Sequence, residues 1–96
     1  MTDREHPYQQ TIDLCQAALE SVRDELGEHY AQASEFVLRY DEWLVGMEFA
    51  IDCLVESESA VSRAAYDVFE RAYSEMRKAQ DDRLRNLQDL VTGAKS

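Results

Sequence analysis

An all-helical fold, a compact antiparallel bundle of four or five helices, is predicted by three features of this sequence. Apolar residues recur at intervals of three and four through most of the 96 positions, which is the helical period. No run keeps the strict alternation of a half-buried strand, and no hairpin dipeptide occurs. Only three glycines and one proline interrupt the chain, so its helices run on and its loops are short. Short loops favour antiparallel neighbours. The expectation is a single helical domain over residues 1–96, with 1–6 and 92–96 frayed.

The first helix is expected over about residues 7–26. Tyr8, Ile12, Cys15, Leu19, Val22 and Leu26 form one stripe, Pro7 suits a first turn, and Gly27 suits a left-handed cap. A second helix runs from about Glu28 to Tyr40, with Tyr30, Ala33, Phe36, Val37 and Tyr40 apolar. Asp41 is positioned to cap a third, from about Glu42 to Glu56. Its interior Gly46 costs about 1 kcal/mol against alanine and is expected to let a neighbouring helix approach closely. Residues 56–59, Glu-Ser-Glu-Ser, read as a turn. A fourth helix begins near Ala60 and turns Val61, Ala65, Val68, Phe69, Ala72 and Met76 inward. The apolar stripe lapses over residues 77–83 and resumes in another phase at Leu84, Leu87, Leu90 and Val91. Either the fourth helix continues through this stretch or a bend near Ala79 starts a fifth.

A chain this short builds one modest core. Its 45% hydrophobic content is enough for that, and argues against disorder throughout. Twenty acidic residues stand against ten basic ones, a net charge of −10. The acidity is not spread evenly: residues 1–60 hold 14 acids and 3 bases, while residues 61–96 hold 6 and 7. Such a field repels nucleic acid and anionic membrane, attracts basic protein surfaces, and also serves solubility. The segment reading MTDREHPYQQ is not a secretory leader, and no apolar run reaches the length of a membrane span. The expected compartment is therefore the cytoplasm.

Catalytic or metal-binding machinery is not expected. His6 and His29 have no partner at Glu-x-x-His or His-x-x-x-His spacing, and the glycines at 27, 46 and 93 form no phosphate loop. Cys15 and Cys53 sit among apolar neighbours and are read as small core residues. Neither a cofactor nor a metal is implied, and the chain is read as a non-enzyme. Arg71, Arg77, Lys78, Arg83 and Arg85 alternate with Glu70, Glu75, Asp81 and Asp82. Local helix pairs explain these bases more simply than nucleic-acid binding does.

The third helix carries the candidate binding surface. Trp43, Met47, Ala50, Ile51 and Leu54 fall within about 100° of arc, and Asp41, Glu48, Asp52 and Glu56 run opposite them. Like charges four residues apart repel, and no lysine or arginine lies between Tyr40 and Arg63 to relieve them. Phe49 falls beside the stripe, either as an exposed anchor inside a charged rim or packed against a neighbouring helix. The proposed contacts are Tyr40, Glu42, Trp43, Glu48, Phe49, Asp52 and Glu56.

The segment DEWLVGMEFAIDCLVE, residues 41–56, resembles the central part of the Maf-type immunity proteins, small helical bacterial proteins. Their motif is similar to Asn/Asp-Glu-aromatic, a glutamate six residues on, then an acidic residue and leucine. Glu42, Trp43, Glu48, Asp52 and Leu54 stand in those places, and Phe36-Val37 and the serine-led stretch from Ser59 to Met76 fit the same layout. The likeness covers roughly residues 31–78; the long first helix, the position of Gly46 and the basic C-terminal stretch depart from it. The resemblance implies an immunity protein that binds and blocks a cognate bacterial toxin, for example a nuclease with a basic cleft. It would act as a monomer or a homodimer. The alternative is a small acidic helical adaptor or secretion chaperone. An acidic mimic of nucleic acid and a carboxylate metalloenzyme are the remaining readings.

Overall fold

The computed structural model describes residues 9–39, 42–76 and 81–91. Tyr40, Asp41, Pro7, Tyr8, the bend expected near Ala79 and the frayed ends expected at 1–6 and 92–96 lie outside these. The described residues form six helices: α1 (Gln9–Ser21), α2 (Arg23–Leu26), α3 (His29–Leu38), α4 (Trp43–Glu56), α5 (Arg63–Glu75) and α6 (Asp82–Gln88). Among them there is no strand beyond one isolated parallel bridge between Val61 and Val91. The all-helical bundle is as expected, but the count of four or five is exceeded, because the first helix is divided and the last is separate.

At the division a side chain competes with the backbone for an acceptor. The Ser21 hydroxyl donates to the Ala18 carbonyl (2.6 Å), the acceptor that the Val22 amide would use in a continuing helix. Val22 N–H turns to Leu19 O instead (3.2 Å), and its backbone leaves the helical well at φ −123°, ψ 25°. The stripe survives the break, since Val22 and Leu26 remain buried. Gly27 follows α2 with φ 58° and ψ −128°, its amide donating to Arg23 O. Its φ is positive as a cap requires, but its ψ lies outside the left-handed helical well, in a region open mainly to glycine.

α3 and α4 pack antiparallel: Phe49 meets both Phe36 and His29, Gly46 meets Ala33 and Val37, and Glu42 N–H donates to Phe36 O (2.8 Å). The close approach predicted at Gly46 is present. A Cβ there would lie 2.9 Å from Ala33 O and 2.9 Å from Val37 Cγ2. The residue at the α4 cap position is Glu42 rather than Asp41, and its side chain makes no capping bond.

α4 ends in a paired hydrogen-bond lock, with Ser59 N–H donating to Leu54 O and Glu58 N–H to Val55 O. This closure places the intervening residue in the left-handed region, and here that residue is Glu58, at φ 53°. Glycine relieves the crowding of Cβ in that region. Glu58→Gly is therefore expected to stabilise the fold by about 0.5–1 kcal/mol. A higher urea midpoint at unchanged slope would show it; a lower one would contradict the strain.

α4 is the central element, packing against α1, α2, α3 and α6, while α1 and α5 pair on the opposite side. Its Met47, Ala50, Ile51 and Leu54 are wholly buried. The α1–α5 seam sets small residues, Cys15, Ala18 and Ala72, among the bulky Leu19, Phe69 and Tyr73. Burial of each large side chain stabilises by about 1.5–3 kcal/mol. Tyr66 and Tyr73 join this core although the inward set read from the sequence omits them. Ser62 caps α5 by accepting from Ala65 N–H, and Asp81 caps α6 by accepting from Arg83 N–H. The Val61 amide donates to Leu90 O (3.0 Å), tying the start of α5 to the end of α6.

Candidate partner-binding surface

The outward arc of α4 runs through Glu48, Asp52, Val45, Glu56, Phe49, Glu42 and Cys53, in that order around the helix. One edge borders α6 and the other borders α2 and α3, and the two edges differ in chemistry.

On the α6 edge the acidic stripe is not free. Arg83 reaches both of its carboxylates, with Nε 3.2 Å from Asp52 Oδ1 and Nη1 3.6 Å from Glu48 Oε2. Nη2 adds a longer contact to Asp52 Oδ2 at 3.4 Å. Glu48 is largely covered, its side chain 29% exposed, whereas that of Asp52 is 57% exposed. The expectation of an unrelieved stripe is thus corrected: no base adjoins it in sequence, but α6 supplies one from 31 residues away. The local helix pairing expected of Arg83 is corrected with it, since its guanidinium turns to α4. Below this cluster Tyr73 is buried, and burial first, then the charges of Asp81 and Glu48, raises the pKa of its hydroxyl.

On the α3 edge Phe49 is half-buried rather than a free-standing anchor. Its ring meets Phe36 edge-on at 6.1 Å and His29 at 5.8 Å. Trp43 is also half-buried, against the core. Cys53 is half-buried against the core and also lines a shallow groove of about 480 Å³ together with Glu25, His29, Phe49, Glu56 and Ser57. Burial, then Glu56 and Asp52, raise the Cys53 thiol pKa. Burial pushes that of Cys15 up to about 12. Both cysteines are free thiols, neither made reactive by its setting.

Of the seven proposed contacts, Glu42 and Glu56 are exposed. Glu48 and Asp52 are paired to Arg83, Phe49 and Trp43 are half-buried, and Tyr40 lies outside the described residues. The fold adds carboxylates that the reading of one helix could not collect. Glu25 and Glu28 flank the α3 edge, and among the described residues neither they nor Glu42 and Glu56 have a basic partner. Glu35, on the same side, is paired to Arg39 at 3.1 Å. Among the described residues two large apolar side chains are exposed, Leu38 at 55% on α3 and Val45 at 43% on α4.

Further along α3, a polar network ties it to α1. Gln16 Nε2 donates to the Tyr30 hydroxyl (2.8 Å), that hydroxyl donates to the Glu20 carboxylate, and Ser34 Oγ donates to Gln16 Oε1 (3.0 Å). The bond from Tyr30 holds the Glu20 carboxyl below its ordinary pKa, and Arg23 lies 4.9 Å above the Tyr30 ring. These groups are satisfied by one another and serve to hold α3 in place.

No helix of the described residues is long and apolar enough to cross a membrane. No group of three or more His, Cys, Asp or Glu among them is placed to hold a metal ion.

No family model, curated protein or solved structure matches this chain.

Proposed function

We propose that this protein is a non-catalytic immunity protein that neutralises a cognate bacterial toxin by covering a basic surface with the outer face of α2, α3 and α4. One observation carries the proposal. After every ion pair within the described fold is made, this face still presents Glu25, Glu28, Glu42 and Glu56 around half-buried aromatic side chains. Unpaired carboxylates around an aromatic centre suit a cationic protein surface, the charges speeding encounter and the aromatics slowing release. The resemblance of residues 41–56 to the Maf-type immunity proteins points to the same partner class, and a nuclease cleft built for phosphate would accept such a face.

The test starts from a tagged pull-down at low salt, with the captured protein assayed for activity with and without this chain. Titration calorimetry across a salt series then compares wild type with Glu42→Lys/Glu56→Lys. The double reversal is expected to weaken affinity by roughly tenfold to a hundredfold and to flatten the salt dependence. Equal affinity at every salt concentration would overturn the assignment of the face. Glu48 and Asp52 are poorer sites for this test, because reversing them also breaks the contacts to Arg83.

Exposed Leu38 and Val45 favour a second reading, a helical adaptor or secretion chaperone that pairs with itself or holds a helical client. A stable dimer by sedimentation, with secretion components in the pull-down, would decide for it.

A further inference from the structure

The groove between α2, the start of α3 and the end of α4 has a shape and charge that the acidic face as a whole does not. Phe49 and Cys53 line it with apolar surface beside His29 and Ser57, and it takes one carboxylate from each of two helices, Glu25 from α2 and Glu56 from α4. The ring of Phe49 is fixed by edge contacts to His29 and Phe36, both from α3, so this surface is preorganised. No base among the described residues satisfies either carboxylate. The nearest bases in sequence to Glu25 and Glu56 are already engaged: Arg23 with Glu20 and the Tyr30 ring, and Arg63 with Asp67 and the Tyr66 ring.

A planar, weakly hydrated cation suits such a place. Guanidinium stacks on aromatic faces and bonds carboxylates through its fork, whereas an ammonium is held more strongly by water. Resting on the reading of a protein partner, we infer that this groove is the point where the partner's arginine docks, its guanidinium over Phe49 and between Glu25 and Glu56. The contact differs from the stripe of Glu48 and Asp52, where the fold has already installed its own arginine, Arg83. The same chemistry that Arg83 satisfies inside the molecule is left open to an outside guanidinium on the opposite edge of α4.

The probe is a blocked pentapeptide, acetyl-Gly-Arg-Gly-Arg-Gly-amide, titrated into the full chain and followed by amide chemical shifts. Its lysine counterpart is titrated alongside. Shifts are expected to concentrate at Glu25, His29, Phe49, Cys53 and Glu56. The arginine peptide should bind roughly threefold or more tightly than the lysine one. Glu25→Gln/Glu56→Gln, both at exposed positions, should weaken it roughly fivefold or more while leaving the melting temperature in place. Phe49→Leu should remove the preference for arginine over lysine. Shifts spread equally over Asp67 and Glu70 on α5, with no preference between the peptides, would overturn the site as diffuse attraction. Self-association that disappears in Glu25→Gln/Glu56→Gln would put a second copy in the groove and also overturn it. The captured toxin separates the two levels of inference. Unchanged toxin binding by Glu25→Gln/Glu56→Gln overturns the groove and leaves the immunity reading intact. Peptide binding at the groove with no inhibited partner in the cell keeps the site and removes that reading.

Discussion

Gly46→Val is expected to destabilise the protein by about 3 kcal/mol, the upper end of what an overpacked interface usually costs. The first added carbon already falls 2.9 Å from Ala33 O and 3.1 Å from Phe36 Cβ. One of these is backbone, so relief requires α3 and α4 to separate rather than a side chain to turn. Val37, 2.9 Å away through Cγ2, is β-branched and stiff. Two further methyl carbons then enter a space already closed. Gly46→Ala is the informative partner, because its clash is opposed by a gain of about 1 kcal/mol in helix propensity. It should therefore cost clearly less than valine. Against a total stability of about 5–15 kcal/mol for a domain, the valine variant should lower the urea midpoint by about 1–3 M. A midpoint equal to wild type would show that the α3–α4 contact yields freely and that Gly46 has no packing role.

Arg83→Glu is expected to be the second large effect, and it acts through charge. It removes two partly exposed ion pairs, each worth about 0.2–1 kcal/mol, and sets a third carboxylate beside Glu48 and Asp52. The sum is a loss of about 1–2 kcal/mol at low salt, directed at the docking of α6, whose Leu84 and Leu87 are buried. Arg83 is 37% exposed along its side chain, so salt should screen much of the repulsion. Raising salt is then expected to restore Arg83→Glu more than wild type, while Arg83→Met, which loses the two pairs but keeps an apolar stem and adds no repulsion, should lose less and respond little to salt. Equal losses for both variants at every salt concentration would show that Arg83 serves α6 by packing alone. Under the proposed function, Arg83→Met also uncovers two carboxylates and should quicken association with a cationic partner at low salt.

These two residues show where reading the chain succeeds and where it stops. Gly46 was legible because a glycine inside an otherwise strong helix has a local cost, and a close neighbour is the usual return for it. Arg83 was not legible. Its immediate neighbours, Asp81 and Asp82, offered nearer partners in sequence, and nothing in helical spacing says that α6 lies along the outer edge of α4. Phe49 stood between: its position beside the stripe was readable, but whether a helix covered it depended on where α3 lay. Val22 marks a third kind of limit. The apolar stripe runs through it unbroken, while the helix breaks where the Ser21 hydroxyl competes for the Ala18 carbonyl.

Legible along the chain are the helical class, most of the inward face of the helices, though not Tyr66 and Tyr73 on α5, and the acidity of the first 60 residues. Those follow from period, composition and charge order, which are properties of neighbours along the chain. The tertiary structure alone decided which carboxylates remain unpaired and which aromatics are covered. Ion pairing and burial depend on residues tens of positions apart, brought within a few ångströms only when the helices pack. The acidic stripe of α4 was therefore divided by its neighbours, closed by Arg83 along α6 and left open along α3, where Glu25 and Glu56 line a groove that neither helix forms alone.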